Sequence, residues 1–326
     1  MTAAGGGGAR AAIGVAVEAE AIPLAEAVER ARVVEALGFD SVWLGQQIGE
    51  RDAAVVLAAY ATATSRVDLA AGILPIYARH PSDLAQMAAT LDELSGGRLV
   101  LGLGLGHQLT VEWMLGVPMG RPVTAMREYL TIVRAMLAEG KASLSGERFS
   151  AHTSYGPPRR GRLRIMLGAL RPRMLRLAAE LADGVVLWLC APSYVRDQVM
   201  PVLSSARAEL GLGMDGFEVV SIVPVCVSPD PREDRDRFRR TIASFGRLPY
   251  YRRMLEASGF GGQLASGEFD DETIDQLGGV GDAEHAAGLF AAYREAGCTL
   301  VVGIPVHSAQ LDHERFVRTM EVLARG

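Results

Sequence analysis

The stretch DELSGGRLVLGL (residues 92–103) decides the fold. An amphipathic helix ends at its start, glycine supplies the left-handed residue that stops the helix, and a run apolar at nearly every position follows. Three other junctions repeat the unit: EALGFDSVWL (35–44), ELADGVVLWL (180–189) and EAGCTLVVGI (295–304). A strand without polar alternation is covered on both faces, as in a parallel sheet flanked by helices.

Outward from these junctions, eight strands are expected. They centre on Ile13–Val17, Ser41–Gly45, Val67–Leu74, Leu99–Gly104, Arg164–Gly168, Val185–Leu189, Glu218–Val227 and Leu300–Gly303. Helices fill the gaps at Leu24–Leu37, Asp52–Ala63, Ser82–Leu94, Arg121–Ala138, Pro172–Ala182, Ser193–Leu210, Asp282–Ala296 and Asp312–Ala324. Eight alternating units in 326 residues favour an α/β fold closed into a (β/α)8 TIM barrel over an open doubly wound sheet. Residues 139–163, after the fourth helix, and 246–281, after the seventh strand, break the rhythm; insertions of this kind commonly act as lids or binding loops. Residues 1–11 read as a disordered Gly-rich lead-in and residues 12–326 as one domain.

The chain carries 33 basic and 38 acidic side chains, a net charge of −5, with 49% hydrophobic and 22% charged residues. This is globular composition without a basic block, a poor match for nucleic acid. No apolar run reaches the roughly 18 residues of a membrane span, and no apolar leader is present, so the cytoplasm is the expected compartment. Cys190, Cys226 and Cys298 sit in apolar runs without metal or redox spacing and read as buried thiols. The only lysine, Lys141, lies in a polar stretch, which argues against Schiff-base chemistry.

Barrels place their sites at the C-terminal ends of the strands. These ends hold Gln46 and Gln47, then Gly72, Ile73, Arg79 and His80, then Gly104, Gly106 and His107, then Gly168 to Arg173, then Trp188, and finally His307. They show no HxH and no carboxylate cluster, so neither a metal hydrolase nor a glycosidase is expected, and no metal is called for. Amides, glycines, arginines and aromatics suit a large polar cofactor that carries the chemistry. GLGLGH (102–107) lacks the third glycine of a dinucleotide fingerprint. Its glycines read as allowing close approach of a flat ligand, with a tight barrel corner as the alternative. In LGALRPRMLRLAAELADG (167–184), Pro172 marks a helix start with Arg171, Arg173 and Arg176 around its first turns and no acid before Glu180. Arginines there oppose the helix dipole, unless an anion binds and reverses the sign. A phosphate site at Gly168, Ala169, Leu170, Arg171 and Arg173 is therefore expected; the alternative is that the arginines point into water.

Together these motifs resemble the bacterial luciferase-like monooxygenase superfamily, and within it the branch of coenzyme F420-dependent oxidoreductases. The segments that carry the resemblance are GFDSVWLGQ (38–46), RHPSDLAQMAATLDELSGGRLVLGLGLGH (79–107), the arginine in GRPVTAMREYL (120–130), GALRPRMLRLAAELADG (168–184) and LPYYRRML (248–255). The resemblance implies a TIM barrel with F420 in its mouth and the phosphate over the helix after the fifth strand. It implies a non-prolyl cis peptide at Gly72–Ile73 behind the deazaflavin ring, with Gly104 to His107 bordering the cofactor. The implied reaction is hydride transfer between the deazaflavin and a small organic substrate: a carbonyl, an imine or an activated alkene. Many relatives carry Asp-His after the second strand; here Gln46-Gln47 stand there, and glutamine does not exchange protons near neutrality. The proton role then falls first to His107, with His80, Tyr250 or the substrate itself as alternatives. The resulting catalytic candidates are His107, Gln46 and Tyr250, and the substrate candidates Gln47, Trp188 and Tyr251. An FMN-dependent two-component monooxygenase and a non-catalytic cofactor-binding relative are the competing readings. The Ala-rich helices Asp52–Ala63 and Ser82–Leu94 are expected to form a homodimer contact, as they commonly do in this superfamily.

Overall fold

The computed structural model describes residues 12–156, 160 and 162–325; the expected lead-in over residues 1–11 lies outside the described residues. Eight strands form the barrel: β1 (Ala12–Ala16), β2 (Ser41–Leu44), β3 (Asp68–Pro75), β4 (Leu99–Gly104), β5 (Arg164–Gly168), β6 (Gly184–Trp188), β7 (Glu218–Val227) and β8 (Leu300–Pro305). Each pairs in parallel with the next, and β8 pairs with β1, so the sheet closes. The fold is the TIM barrel expected from the repeated junctions.

Three junction glycines act as expected. Gly38, Gly97 and Gly297 hold φ of 83°, 87° and 109°, the left-handed region that ends the preceding helix. Gly184 corrects the fourth. The helix before it ends at Ala182 in extended backbone, and Gly184 is already in β6. A Cβ there would overlap the Glu218 carbonyl and lie 2.6 Å from Met166 Sδ, so this glycine serves strand packing.

Trp43 fills the barrel interior with Ala70, Val100, Met166, Val220 and Val302. Its indole N–H donates to Ser41 Oγ at 2.8 Å, satisfying the one polar atom buried with the ring. The floor, at the strand N-termini, is closed by Arg164, which pairs with Asp68 and, at 3.1 Å, with Glu218.

The first insertion holds an antiparallel hairpin, Lys141–Leu144 with Ala151–Ser154. It packs along the outer helices Pro81–Leu94 and Pro122–Glu139. Glu128 accepts the backbone N–H groups of Glu147, Arg148 and Phe149 at 2.7, 2.9 and 2.9 Å, and the Phe149 ring meets Tyr129 edge-on at 5.0 Å. The second insertion is mostly helical: Pro249–Leu255, Glu256–Phe260, Gly261–Ser266 and Asp271–Leu277 lead to a short strand, Gly279–Gly281, added outside the eight against β7. A helix at Arg232–Gly246 precedes it and was not expected. Its sequence REDRDRFRRTIASFG is highly charged, yet Phe238 and Ile242, one turn apart, are fully buried, and pairs such as Arg237–Glu233 at 2.7 Å line the exposed face.

Candidate active site

Ile73, Trp188 and Ile304 cap the interior core at the barrel mouth. β3 shifts register between Ala71 and Leu74, and the Gly72–Ile73 peptide bond within that bulge is cis. The Ile73 carbonyl accepts the Gln46 N–H at 3.2 Å. This bulge explains the glycines of β4. A Cβ on Gly102 would overlap the Ala71 carbonyl, and one on Gly104 would overlap the Ile73 side chain. β3 packs directly against these glycines, which fits the alternative of a tight barrel corner. Gly168 faces the same side chain, 3.5 Å from its Cγ2 to an added Cβ. Gly106 holds φ of 72° and so makes the turn into His107.

The helix after β5 runs Pro172–Leu181 with Arg171 at its N-cap and no side-chain cap. The Ala169 N–H reaches the Val186 carbonyl at 3.4 Å. The N–H groups of Leu170 and Arg171 have no protein acceptor among the described residues, and neither guanidinium of Arg171 and Arg173 has an ion-pair partner there. Arg176, the third arginine of the stretch, is committed to Glu209 at 2.8 Å. The end of this helix thus offers backbone donors and two unpaired cations, and no carboxylate fills it. That donor set fits a phosphate.

The other candidates divide. The Gln46 amide is consumed by structure: Oε1 accepts the Ala53 N–H at 2.8 Å, at the start of the helix Ala53–Ala63, and Nε2 donates to the Gln47 and Arg51 carbonyls at 3.2 and 3.4 Å. Gln47 is exposed. His80 caps its helix, accepting the Ser82 N–H at 3.3 Å, and its other ring nitrogen faces the Ser150 carbonyl at 3.1 Å. His107 is half-buried, and burial pushes its pKa down, so the ring is neutral near pH 7. Tyr250 points to solvent at 37% exposure, while its neighbour Tyr251 turns inward.

Tyr251 meets the Phe245 ring at 4.8 Å and the His107 ring at 5.8 Å; Phe245 meets Trp188 at 5.9 Å. These four rings make an uncharged aromatic wall beside the mouth. The structure thus brings together His107, Trp188 and Tyr251 and adds Phe245. A cleft of about 490 Å³ opens next to Gln46, Leu74, Pro75, Arg79 and His80.

A carboxylate group at the strand ends corrects the sequence reading. Glu18 lies two residues past β1 and Glu50 on the loop after β2; with Glu20 they act on one another electrostatically. Burial pushes the Glu18 carboxyl up to about 8, with the Glu20 charge adding to the shift. Glu18 Oε1 accepts the Gly45 N–H at 3.4 Å. A Cβ on Gly45 would lie 3.7 Å from Glu18 Oε1 and 3.6 Å from the Gly72 carbonyl, so Glu18 stands next to the bulge. The signal was present as VEAEA (17–21), two glutamates immediately past a strand. Among the described residues, no His, Cys, Asp and Glu side chains are grouped to hold a metal ion.

Residues 6–300 match the sequence profile of luciferase-like monooxygenases. The chain belongs to that family. It is 31% identical over 208 residues to the 5,10-methylenetetrahydromethanopterin reductase of Methanolobus tindarius, covering 64% of this chain. With the enzyme of the same name from Archaeoglobus fulgidus it shares 32% over 213 residues, or 65% of this chain. The match spans 63% of the length of each reductase. In three dimensions this luciferase-like chain superposes on the coenzyme F420-dependent tetrahydromethanopterin reductase of Methanopyrus kandleri with a TM-score of 0.81, at 22% identity, covering 97% of this chain and 98% of the other. That superposition establishes the shared barrel.

Proposed function

We propose that this chain is an F420-dependent oxidoreductase acting on a small organic substrate: a carbonyl, an imine or an activated alkene, or the reverse reaction. The observation that carries this reading is the unfilled donor set at Gly168–Arg173. The Leu170 and Arg171 N–H groups with the Arg171 and Arg173 side chains would hold the phosphate, and the bulge at Gly72–Ile73 would lie behind the ring, with Gly104, Gly106 and His107 at its border. When bound, F420 supplies a carbon that gives or takes a hydride. The reductases named above fit this class of chemistry.

The chain's own groups would orient the substrate and move one proton. Glu18 retains a proton up to about pH 8 and stands beside the bulge. It would protonate the substrate oxygen or nitrogen as hydride reaches the adjacent carbon, and would recover its proton from water. This replaces His107, which is neutral and lies within the wall. His107, Trp188, Phe245 and Tyr251 would pack against the substrate and exclude water. Gln46 would hold the loop and take no part in the chemistry.

Titration with F420 tests the reading. Quenching of deazaflavin fluorescence with micromolar or tighter affinity is expected; no quenching and no thermal shift would overturn it. Tighter binding of reduced FMN, with turnover that requires dioxygen, would instead establish the monooxygenase reading. The homodimer belongs to the same proposal: Val55 and Leu94, on the two Ala-rich helices, are apolar at 65% and 50% exposure. Light scattering at micromolar concentration should give twice the monomer mass. Three buried free cysteines suit the reducing cytoplasm, where this reading places the chain.

A further inference from the structure

We infer that Tyr194 is a positioning residue for the anion site: its hydroxyl holds the Leu170 peptide in the orientation that presents the Arg171 N–H to a phosphate. The inference rests on the reading of Gly168–Arg173 given above. Tyr194 lies in the short helix Pro192–Tyr194 after β6 and is 4% exposed. Its hydroxyl donates to the Leu170 carbonyl at 2.7 Å, across 24 residues of sequence.

A trans peptide is planar, with its carbonyl and the following N–H on opposite sides. The Leu170–Arg171 bond is trans. Drawing the Leu170 oxygen toward Tyr194 therefore turns the Arg171 N–H the other way, where no protein group accepts it. The same loop is tied one residue earlier by the Ala169 N–H on the Val186 carbonyl. Beside these two ties, the N–H groups of Leu170 and Arg171 have no protein acceptor among the described residues. Without the hydroxyl, this peptide is free to flip and exchange its donor for a carbonyl, which repels an anion.

Burial pushes the Tyr194 hydroxyl up to about 12, so it remains a donor across the working pH range. The Arg171 charge, acting on the same hydroxyl, opposes that rise. Tyr194 itself reaches the ligand only through the backbone. Its removal should therefore weaken recognition of the phosphate while leaving ring recognition intact.

The test compares two probes on the full chain: F420, and its core, which keeps the ring and sugar-alcohol chain but lacks the phosphate and the tail attached through it. Binding is read by fluorescence quenching. The wild-type protein should prefer F420. Tyr194→Phe should narrow that preference about five-fold through F420 affinity alone, with the core bound as before. A merely structural role would weaken both probes together. An undiminished preference in Tyr194→Phe would overturn the inference. Equal binding of both probes by the wild-type protein would overturn the anion site and this role with it. Hydrogen exchange on the wild-type chain gives an answer independent of any variant. The Arg171 amide should be protected by F420 and not by the core, and its exchange unchanged by F420 would also overturn the role.

Discussion

Gly104 faces Ile73 so closely that a Cβ added to it would overlap Ile73 Cδ1 and sit 2.8 Å from Cγ1. The Ile73 side chain, which borders the mouth, would have to shift to make room. Gly104→Ala should therefore cost about 1–3 kcal/mol of stability, the usual penalty of overpacking, and weaken cofactor binding. Gly102→Ala differs, because its Cβ would meet the Ala71 carbonyl, which is backbone and cannot rotate aside. It should be the more damaging of the two. Urea denaturation of both variants checks the order, and equal costs would count against the bulge as the reason for these glycines.

Glu18→Gln keeps the shape of the side chain and removes its proton. It should lower kcat about 100-fold or more if Glu18 is the acid, with cofactor affinity unchanged. In the wild-type enzyme, the direction that consumes a proton should fall as pH rises through about 8, where the carboxyl ionises. The stability effect has a definite sign. The folded-state pKa lies above the unfolded value near 4.5, so the folded chain binds the extra proton between about pH 4.5 and 8. This contribution is fully present below that window and is lost as pH rises through it. Glu18→Gln should show a flatter Tm-against-pH curve and be the more stable form at pH 9.

Arg171→Gln and Arg173→Gln should trade binding for stability. Each removes a cation next to a helix N-terminus, so the free protein should gain about 0.3 kcal/mol. Each should also weaken F420 about ten-fold, since charge-assisted hydrogen bonds are the stronger kind. Titrations at two salt concentrations check this, with a smaller salt dependence in the variants. Arg176→Gln, which breaks only the pair with Glu209, should leave affinity unchanged.

Gln46→Ala separates anchoring from chemistry. Loss of the acceptor for the Ala53 N–H should cost about 1 kcal/mol, as for other helix-start contacts. The value of kcat should stay within about three-fold of wild type, because the amide has no free donor to spend on substrate. A hundred-fold loss of kcat with unchanged stability would restore Gln46 to the catalytic set.

Much of the site was legible where it depends on a single segment. The helix start at Pro172 was readable because the proline, three arginines and the absence of acid fall within one helix turn or two. The pairing of Arg176 with Glu209 was not legible, because its partner is 33 residues away. Tyr251 was singled out without Phe245, which comes from a helix that the charged stretch 232–246 did not announce. Tyr250 and Tyr251 are adjacent in sequence, and only the turn of the helix Pro249–Leu255 sends one inward and the other to solvent.

The order of the eight barrel strands and their closure into eight units follow from the sequence by itself. Apolar period, left-handed glycines and helix-end electrostatics act over a few neighbouring residues. Tertiary structure decided the rest. It set Glu18, Glu20 and Glu50 side by side, gave the glycines of β4 to the β3 bulge, built the aromatic wall and brought Tyr194 to the Leu170 carbonyl. These contacts depend on how the strands, loops and insertions pack, and no local periodicity encodes which side chains that packing brings within reach.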